Sequence, residues 1–462
     1  MGVVKYSGFV LPRMTPLERK SLLGLSTLYA FRMLGLFMVL PVLALYAGDY
    51  SGSTTLLIGL TLGIYGLTQG LFQIPLGFLS DRLGRKPIIV FGMLLFLLGS
   101  IIAALSESLW GLIIGRGLQG AGAVASTIMA LLSDLTTEQS RTKAMAAIGA
   151  TIGAAFAISM VCGPVLADLW GLAGIFWITA ALAILGILVV LLIPTPAVRG
   201  HNAEAQAVPQ MFGKLLRDKE LLRLNLGIGV LHFIQMASWV AVPVILEHNL
   251  AIDRDQHWLL YLLTMGLSFV AMLPFIIVAE KKRLIKPVFV GAIALMIFAE
   301  VVLGININHE TGFVLGMFLF FMGFNLLEAS LPSLISKIAP AGGKGTAMGI
   351  YSTSQFLGAF LGGVTGGAIA YNFGYQWIFW LSAGLITLWL LAAATMEKPR
   401  HLTSLVIRLL QDEKLQPASY VGKVPGVEDL VIIPGQGVAY FKVDNERFDR
   451  EAFEAALGRE CS

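Results

Sequence analysis

Long apolar runs, each followed by a short polar turn, repeat along this chain as far as Met396. A helix crosses a bilayer core with about 20 apolar residues, and the runs reach this length. Because the turns are short, consecutive helices must cross the same membrane. We predict twelve transmembrane helices, near residues 22–46, 55–79, 87–106, 109–133, 144–168, 170–194, 222–247, 257–279, 287–307, 311–336, 345–371 and 375–396.

The composition also indicates a membrane protein. The residues are 56% apolar and 13% charged, and the mean hydropathy is +0.80, which excludes an ordinary soluble globular protein. The two cysteines, Cys162 inside a span and Cys461 in the tail, fit neither a disulfide nor a metal-binding spacing. We therefore expect no metal, no cofactor and no enzyme activity.

Lysine and arginine concentrate in alternate turns, and Arg254 alone lies in the opposite turns. Cytoplasmic loops retain Lys and Arg, so we predict that both termini are cytoplasmic. The net charge of +4 reflects this topology and not a nucleic-acid surface. The cationic turns contain Arg82, Arg85 and Lys86; Arg141 and Lys143; Arg199 to Arg223; Lys281, Lys282, Arg283 and Lys286; and Lys337 and Lys344.

The two halves of the chain echo each other. Thr142-Lys143-Ala144-Met145 runs from the preceding loop into the fifth predicted span, and Gly345-Thr346-Ala347-Met348 opens the eleventh. We predict a six-helix half at 1–194, a cytoplasmic linker at 195–221 and a second six-helix half at 222–398. Two such repeats are typical of an alternating-access carrier, whose substrate site lies near the membrane midplane between them.

Residues 401–462 have the composition of a small soluble domain. Strands are predicted at 403–410, 427–433 and 438–443, with a turn at 434–437, a weak helix at 416–423 and a closing helix that contains Phe448, Ala452 and Ala456. This βαββα order is similar to that of heavy-metal-associated ferredoxin-like domains, but the cysteine pair that binds metal in those domains is absent. We expect this cytoplasmic module to regulate the carrier by docking on its cationic loops.

The turn after the second predicted span reads Gly77-Phe-Leu-Ser-Asp81-Arg82-Leu-Gly84-Arg85-Lys86-Pro87. It resembles the signature loop of the major facilitator superfamily at every fixed position. The resemblance covers nearly the whole chain, including residues 31–35 and 345–358 and the tail, and is strongest to bacterial proton-driven efflux transporters with a ferredoxin-like tail domain. It implies a proton antiporter in the bacterial inner membrane, with a drug-like or metabolite substrate.

The resemblance also implies a gating role for this turn. Asp134 ends the fourth predicted span at the same depth, so an Arg85–Asp134 ion pair is expected. In the family, the aspartate that matches Asp81 lies against the start of the eleventh helix, here near Gly345, where a helix N-terminus favours an anion. The alternative is that the charges only obey the positive-inside rule. The gating candidates are Gly77, Asp81, Arg82, Gly84, Arg85, Lys86 and Asp134.

An ionisable residue inside a span raises the free energy of membrane insertion, so such a residue is a functional candidate by default. Glu328 could bind the coupling proton or pair structurally with Arg32 or Asn325. Arg116 begins Arg-Gly-Leu-Gln-Gly, which resembles a second superfamily signature; it could assist proton transfer or act as a hydrogen-bond hub. His232 could titrate or simply pack, and for Glu300 we expect a structural or lipid-headgroup role. The proton-coupling candidates are Arg32, Arg116, His232 and Glu328.

Uncharged polar residues recur at helical spacing on several spans. We expect them to shape the substrate pocket, although interhelical hydrogen bonding alone would explain any one of them. These residues are Tyr65, Gln69, Gln73, Gln235, Trp239, Asn325, Tyr351 and Gln355.

The leading hypothesis is a monomeric proton-coupled antiporter that exports small drug-like or amphipathic molecules. A proton symporter for nutrient uptake would share the same residues. A membrane sensor that reports through residues 401–462 would need neither gating charges nor a proton site.

Overall fold

A computed structural model describes residues 14–194, 209–340, 343–397, 402–408, 420–432, 438–444 and 447–457. The first half of the bundle contains α1 (Pro16–Phe37), α2 (Leu43–Tyr46), α3 (Thr55–Leu83), α4 (Arg85–Leu105), α5 (Leu109–Ala121), α6 (Ala125–Asp134) and α7 (Glu138–Leu192). The second half contains α8 (Pro209–Leu215), α9 (Lys219–His248), α10 (His257–Lys281), α11 (Ile285–Ile305), α12 (Glu310–Ile338), α13 (Lys344–Phe373) and α14 (Gln376–Ala394).

Nine stretches of helix in the described residues are long and apolar enough to cross a membrane. One of them, within α7, combines the fifth and sixth predicted spans, which meet at Gly171 with φ of 66°. The two remaining spans are interrupted helices. The first consists of α1 and α2, separated around Pro41, which lacks a backbone donor. The fourth consists of α5 and α6, so the helices account for the twelve predicted spans.

The break between α5 and α6 lies at Gly122, where α4 comes very close. A Cβ atom on Gly122 would lie 2.3 Å from the main-chain oxygen of Gly92. Only glycine permits this approach, since real Cβ contacts are longer.

The two halves pack tightly through α3 and α13. A Cβ atom on Gly59 would lie 2.2 Å from the oxygen of Gly363, and one on Gly63 would lie 2.7 Å from the oxygen of Phe360. These contacts lie toward the end of the bundle that is opposite the 77–87 turn. We call the end of the bundle with the 77–87 turn the basic end, and the opposite end the sealed end. In this conformation the glycine contacts close the two halves against each other at the sealed end.

The tail forms a three-stranded antiparallel sheet and one helix. Strands β1 (Leu402–Arg408), β2 (Val427–Ile432) and β3 (Val438–Asp444) lie in the order β1-β3-β2, and α15 (Arg450–Leu457) follows. This order, with β3 between two mutually parallel strands, fits the predicted ferredoxin-like class. The rings of Phe441 and Phe453 pack edge to face at 4.8 Å in its core.

Two predicted details of the tail differ or lie outside the described residues. Residues 420–423 form a turn and not the end of a helix, since Gly422 has a φ of 76°; residues 416–419 and the predicted turn at 434–437 are not among the described residues. The tail also contacts the bundle, because Lys442 Nζ donates to the main-chain oxygen of Lys337 at 3.0 Å. This contact lies at the C-terminus of α12, where the helix dipole favours a cation.

Candidate functional site

The predicted gating turn is compact and centres on Arg85. Its guanidinium lies 2.5 Å from the Asp81 carboxylate and 3.3 Å from that of Asp134, and it donates to Ser80 Oγ at 2.7 Å. Gly84, which joins α3 to α4, has a φ of 103°, a backbone conformation that glycine adopts without strain. Arg85 therefore links the end of α3 to the end of α6.

The other residues of this turn play different parts. Lys86 Nζ donates to the main-chain oxygen of Ile193 at 2.8 Å and so fastens the turn to the end of α7. Arg82 is exposed, and a Cβ atom on Gly77 would meet nothing closer than 3.5 Å. Because the tight contacts between α3 and α13 lie at the sealed end, the approach of Asp81 to the start of α13 stays a prediction for the reverse conformation.

A buried polar cluster in the first half centres on Tyr65 of α3. Arg32 Nη2 of α1 donates to the Tyr65 hydroxyl at 3.2 Å and to Gln69 Oε1 at 2.6 Å. Gln69 Nε2 in turn lies 3.5 Å from Gln73 Oε1. The guanidinium of Arg116 lies over the Tyr65 ring, 4.9 Å from its centroid. Two fully buried cations from different helices thus share one aromatic side chain.

Two residues that the sequence reasoning did not select complete this cluster. Arg116 Nη1 donates to Gln119 Oε1 at 3.0 Å, and Gln119 Nε2 donates to Ser100 Oγ of α4 at 2.8 Å. The i, i+3 spacing of Arg116 and Gln119 was a usable signal, because such residues share a helix face. Ser100 offered no such signal.

A second polar cluster lies in the other half and joins α9, α12 and α13. His232 Nε2 lies 2.7 Å from Gln355 Nε2 and 3.8 Å from Glu328 Oε2. His232 Nδ1 lies 3.3 Å from the Ile228 main-chain oxygen, which can only accept. The neutral imidazole therefore carries its proton on Nδ1, and its Nε2 accepts the Gln355 amide.

Glu328 has the position expected of a cavity-lining acid. It lies well inside α12, yet its side chain is 38% exposed. Its close ionisable neighbour is His232, not Arg32, and Asn325 contacts Ser268 Oγ of α10 at 3.5 Å instead. The Tyr351 hydroxyl is buried without a hydrogen-bond partner among the described residues.

The two clusters lie at one depth in the bundle. Gly66 packs against Phe356, and Gly70 lies near Thr353. Gln69, between these glycines on α3, is therefore level with Gln355 on α13. Arg32 and Gln69 thus lie at the same height as His232 and Glu328, in opposite halves.

Aromatic side chains surround the second cluster on the side of the sealed end. Phe320 and Phe324 stack at 6.0 Å, and Phe324 lies 5.9 Å from the His232 ring. Further along α9, a cavity of about 20 Å³ is lined by Gln235, Ser238, Trp239, Val242, Leu303, Met317, Phe320 and Phe321. Gln235 and Trp239 therefore line a space within the second half and not one between the halves.

Glu18 is a buried acid that the sequence reasoning missed. Its carboxylate accepts hydrogen bonds from the Thr137 amide, the Thr137 hydroxyl and the Thr15 amide, each at 2.8 Å. Burial by itself would raise the pKa of Glu18, but these hydrogen bonds lower it to about 2. The side chain fastens the start of α1 to the start of α7. The capping-box pattern Thr15-x-x-Glu18 was visible in the sequence, whereas the Thr137 contact was not.

Comparisons with known proteins agree with this architecture. The family model described as Major Facilitator Superfamily matches residues 25–278 and 224–419. The chain is 48% identical to the inner membrane transport protein YajR of Escherichia coli (strain K12), over 96% of this chain and 98% of that protein. It is 28% identical to the multidrug resistance protein MdtH of Aeromonas salmonicida (strain A449), over 79% and 93% of the two chains.

Among solved structures, a bacterial homologue of the human lysosomal transporter Spinster, in an inward-facing and occupied conformation, superposes with a TM-score of 0.68. It is 14% identical, and the match covers 83% of this chain and 98% of that one. This likeness concerns the fold alone.

Proposed function

The chain belongs to the major facilitator superfamily of transporters, and we propose that it is a proton-coupled antiporter that exports small drug-like or amphipathic molecules by alternating access. We further propose that it acts as a monomer in the bacterial inner membrane, with residues 1–194 and 222–398 as its two moving halves. On this proposal both termini and the basic end face the cytoplasm.

The observation that carries this proposal is the convergence of Glu328, His232 and Gln355 from three helices. The Glu328 side chain is 38% exposed and lies far from either helix end, although its Oε2 atom is buried. On this proposal, its carboxyl group exchanges a proton with water in a cavity. The aromatic side chains beside it offer an apolar surface and, for a cationic substrate, the faces of π systems.

The geometry supports coupling by competition. A substrate group that binds the Glu328 carboxylate requires the proton to leave, and a returning proton removes that binding partner. A proton on His232 Nε2 would displace the Gln355 amide, because a protonated imidazole has no acceptor. The imidazolium would then attract Glu328, 3.8 Å away.

The gating turn supports alternating access. The α3–α13 glycine contacts close the sealed end in this conformation, so on this proposal the substrate site is reached from the basic end. Arg85, Asp81 and Asp134 are poised to close the basic end when the sealed end separates. The name of MdtH supports export, since that relative is a multidrug resistance protein.

The test is Glu328→Gln in proteoliposomes with an imposed pH gradient and a panel of fluorescent dyes that includes ethidium. The amide keeps the size of the carboxyl group but cannot exchange a proton, so we expect gradient-driven dye export to be lost. Asn306→Ala, at the α11 C-terminus, is the matched control for substitution of a polar residue in this half. Gradient-driven export that persists in Glu328→Gln would refute the role of Glu328, and uptake driven by the same gradient would show a symporter.

A further inference from the structure

The two halves of the chain are repeats of each other, but the positions of the first half's polar cluster hold different residues in the second half. Helices α4 and α11 have equal lengths and begin 200 positions apart. Gly115 packs on Ala103 as Gly316 packs on Leu303, and Gly122 approaches Gly92 as Gly323 approaches Ala292. These contacts align α5 with the start of α12 and fix the register of the repeat.

In this register Ser100 corresponds to Glu300, Gln119 to Phe320 and Arg116 to Met317. The first half fills the space with a connected network from Arg116 through Gln119 to Ser100. The second half has two apolar side chains there, and both line the cavity of about 20 Å³. A space of this size holds one water molecule.

Glu300 therefore has no counterpart of the Gln119 amide. Its side chain is fully buried, which rules out the lipid-headgroup role, one of the two roles expected from the sequence. Neither of its carboxyl oxygens has a hydrogen-bond partner among the described residues. An unpaired carboxylate costs far more free energy to bury than the neutral acid does.

Among the described residues, the helices that pack on α11 place no cation beside Glu300. Helix α11 packs on α10, α12 and α14, and no titratable group occurs along α14. Every cationic residue of α10, α11 and α12 lies within one turn of a helix end. Besides Glu300, the titratable groups of these helices are His257, Tyr261, Glu280, Lys281, Lys286, Glu310, Glu328 and Lys337.

A polar stripe on α9 runs from the cavity toward His232. Gln235 lies three residues after His232, about 4.5 Å further along the helix axis, and both Gln235 and Ser238 line the cavity. The Ser238 hydroxyl and the Trp239 indole nitrogen have no hydrogen-bond partner among the described residues. Leu303, one turn from Glu300 on α11, lines the same cavity from the other side.

From this arrangement we infer that Glu300 is a second proton-binding group, connected with the His232–Glu328 pair by a water molecule that Gln235 and Ser238 hold in the cavity. The Glu300 carboxyl gives its proton to the water, the water gives one of its own protons to His232 Nε2 as the Gln355 amide leaves that nitrogen, and Glu300 is left as the carboxylate. The reverse transfer restores the acid. The connection to Glu328 rests on the proposed function, whereas protonation of Glu300 does not.

Infrared spectroscopy of the purified full-length chain tests protonation directly. A protonated carboxyl group has a C=O stretching band that is distinct from carboxylate bands and shifts in D₂O. In a Glu328→Gln background at neutral pH we expect such a band, and we expect Glu300→Gln to remove it. Glu300→Ser, which copies the residue of the first half, should remove it as well and provides a second variant. A spectrum without the band, or a band that survives both substitutions, would overturn the inference.

The rate of hydrogen–deuterium exchange at this band tests the path. Gln235→Leu should slow exchange by about tenfold or more, the effect of a barrier about 1.4 kcal/mol higher. Gln119→Leu, which removes a buried amide in the other half, should leave the rate unchanged. Equal rates in Gln235→Leu and the unsubstituted chain, or equal slowing in both variants, would exclude the cavity as the route. Loss of dye export in Glu328→Gln with an intact Glu300 band would support both proposals independently.

Discussion

The glycine contacts between α3 and α13 yield the sharpest prediction about the transport cycle. In Gly59→Ala the new methyl carbon would lie 2.2 Å from the oxygen of Gly363 and 2.8 Å from the Cα of Gly367. Both neighbours are backbone atoms that cannot rotate away. The helices must therefore separate by about 1 Å to restore ordinary contact distances.

Such overpacking costs about 1–3 kcal/mol. The cost applies only while the sealed end is closed, because the two helices are apart in the reverse conformation. Gly59→Ala should thus shift the ratio of the two conformations by roughly 5–150-fold toward an open sealed end. Gly349→Ala is the matched control on α13, since a Cβ atom there would meet nothing within 4 Å.

The assay is double electron–electron resonance, which measures the distance between two spin labels across the sealed end. Spin labels at Trp110→Cys on α5 and Ile305→Cys on α11 lie on different halves, and both native side chains are exposed. The background replaces Cys162 and Cys461 by serine. We expect Gly59→Ala, but not Gly349→Ala, to gain a population of longer distances. Identical distance distributions in both variants and the parent would refute the view that these glycines hold this end closed.

Three further predictions concern the charged residues near the basic end. Arg85→Ala should reduce dye export at unchanged membrane expression, because it removes the link between the ends of α3 and α6. Arg217→Ala, an exposed loop substitution, should leave export unchanged. Equal export by both variants would contradict a gating role. Glu18→Gln should lower the free energy of unfolding by about 2 kcal/mol, as measured by thermal unfolding at several pH values. Because the pKa of Glu18 is lowered from 4.5 to about 2, this difference should be constant above pH 4.5 and shrink as the pH falls toward 2; a difference that vanishes already near pH 6 would contradict the assignment. Lys442→Met should release the tail from α12 and raise the rate at which a protease cleaves the tail, whereas Lys423→Met, at an exposed position, should not. Equal cleavage of both variants would contradict docking through Lys442. A chain that lacks residues 401–462 should still insert and transport.

Much of the fold could be predicted from the sequence because its signals are local. A run of apolar residues identifies a span wherever its neighbours are, since the lipid is the common solvent of every helix. The 77–87 turn and the Thr15–Glu18 cap could likewise be predicted, because their residues are adjacent or one turn apart. The interruption of the fourth span was not, since it depends on how closely α4 approaches Gly122.

The residues of the candidate site could be predicted from the sequence, but the contacts between them could not. The sequence marks Arg32, His232 and Glu328 as ionisable residues inside apolar runs. It left titration and packing open for His232, and it offered Arg32 or Asn325 as partners for Glu328. The structure instead places His232 beside Glu328, although the two are far apart in the chain.

By itself, the sequence determined the number of spans, the basic loops, the duplication and the presence of a separate tail, because hydrophobic burial in lipid and the cost of burying charge act on each segment independently. Only the tertiary structure decided that one tyrosine serves two buried arginines, that glycines seal one end, that Glu300 is buried and that Lys442 docks on α12. These features depend on the rotation and depth of each helix against its neighbours. Packing sets both, since side chains distant in the chain must fill one space together.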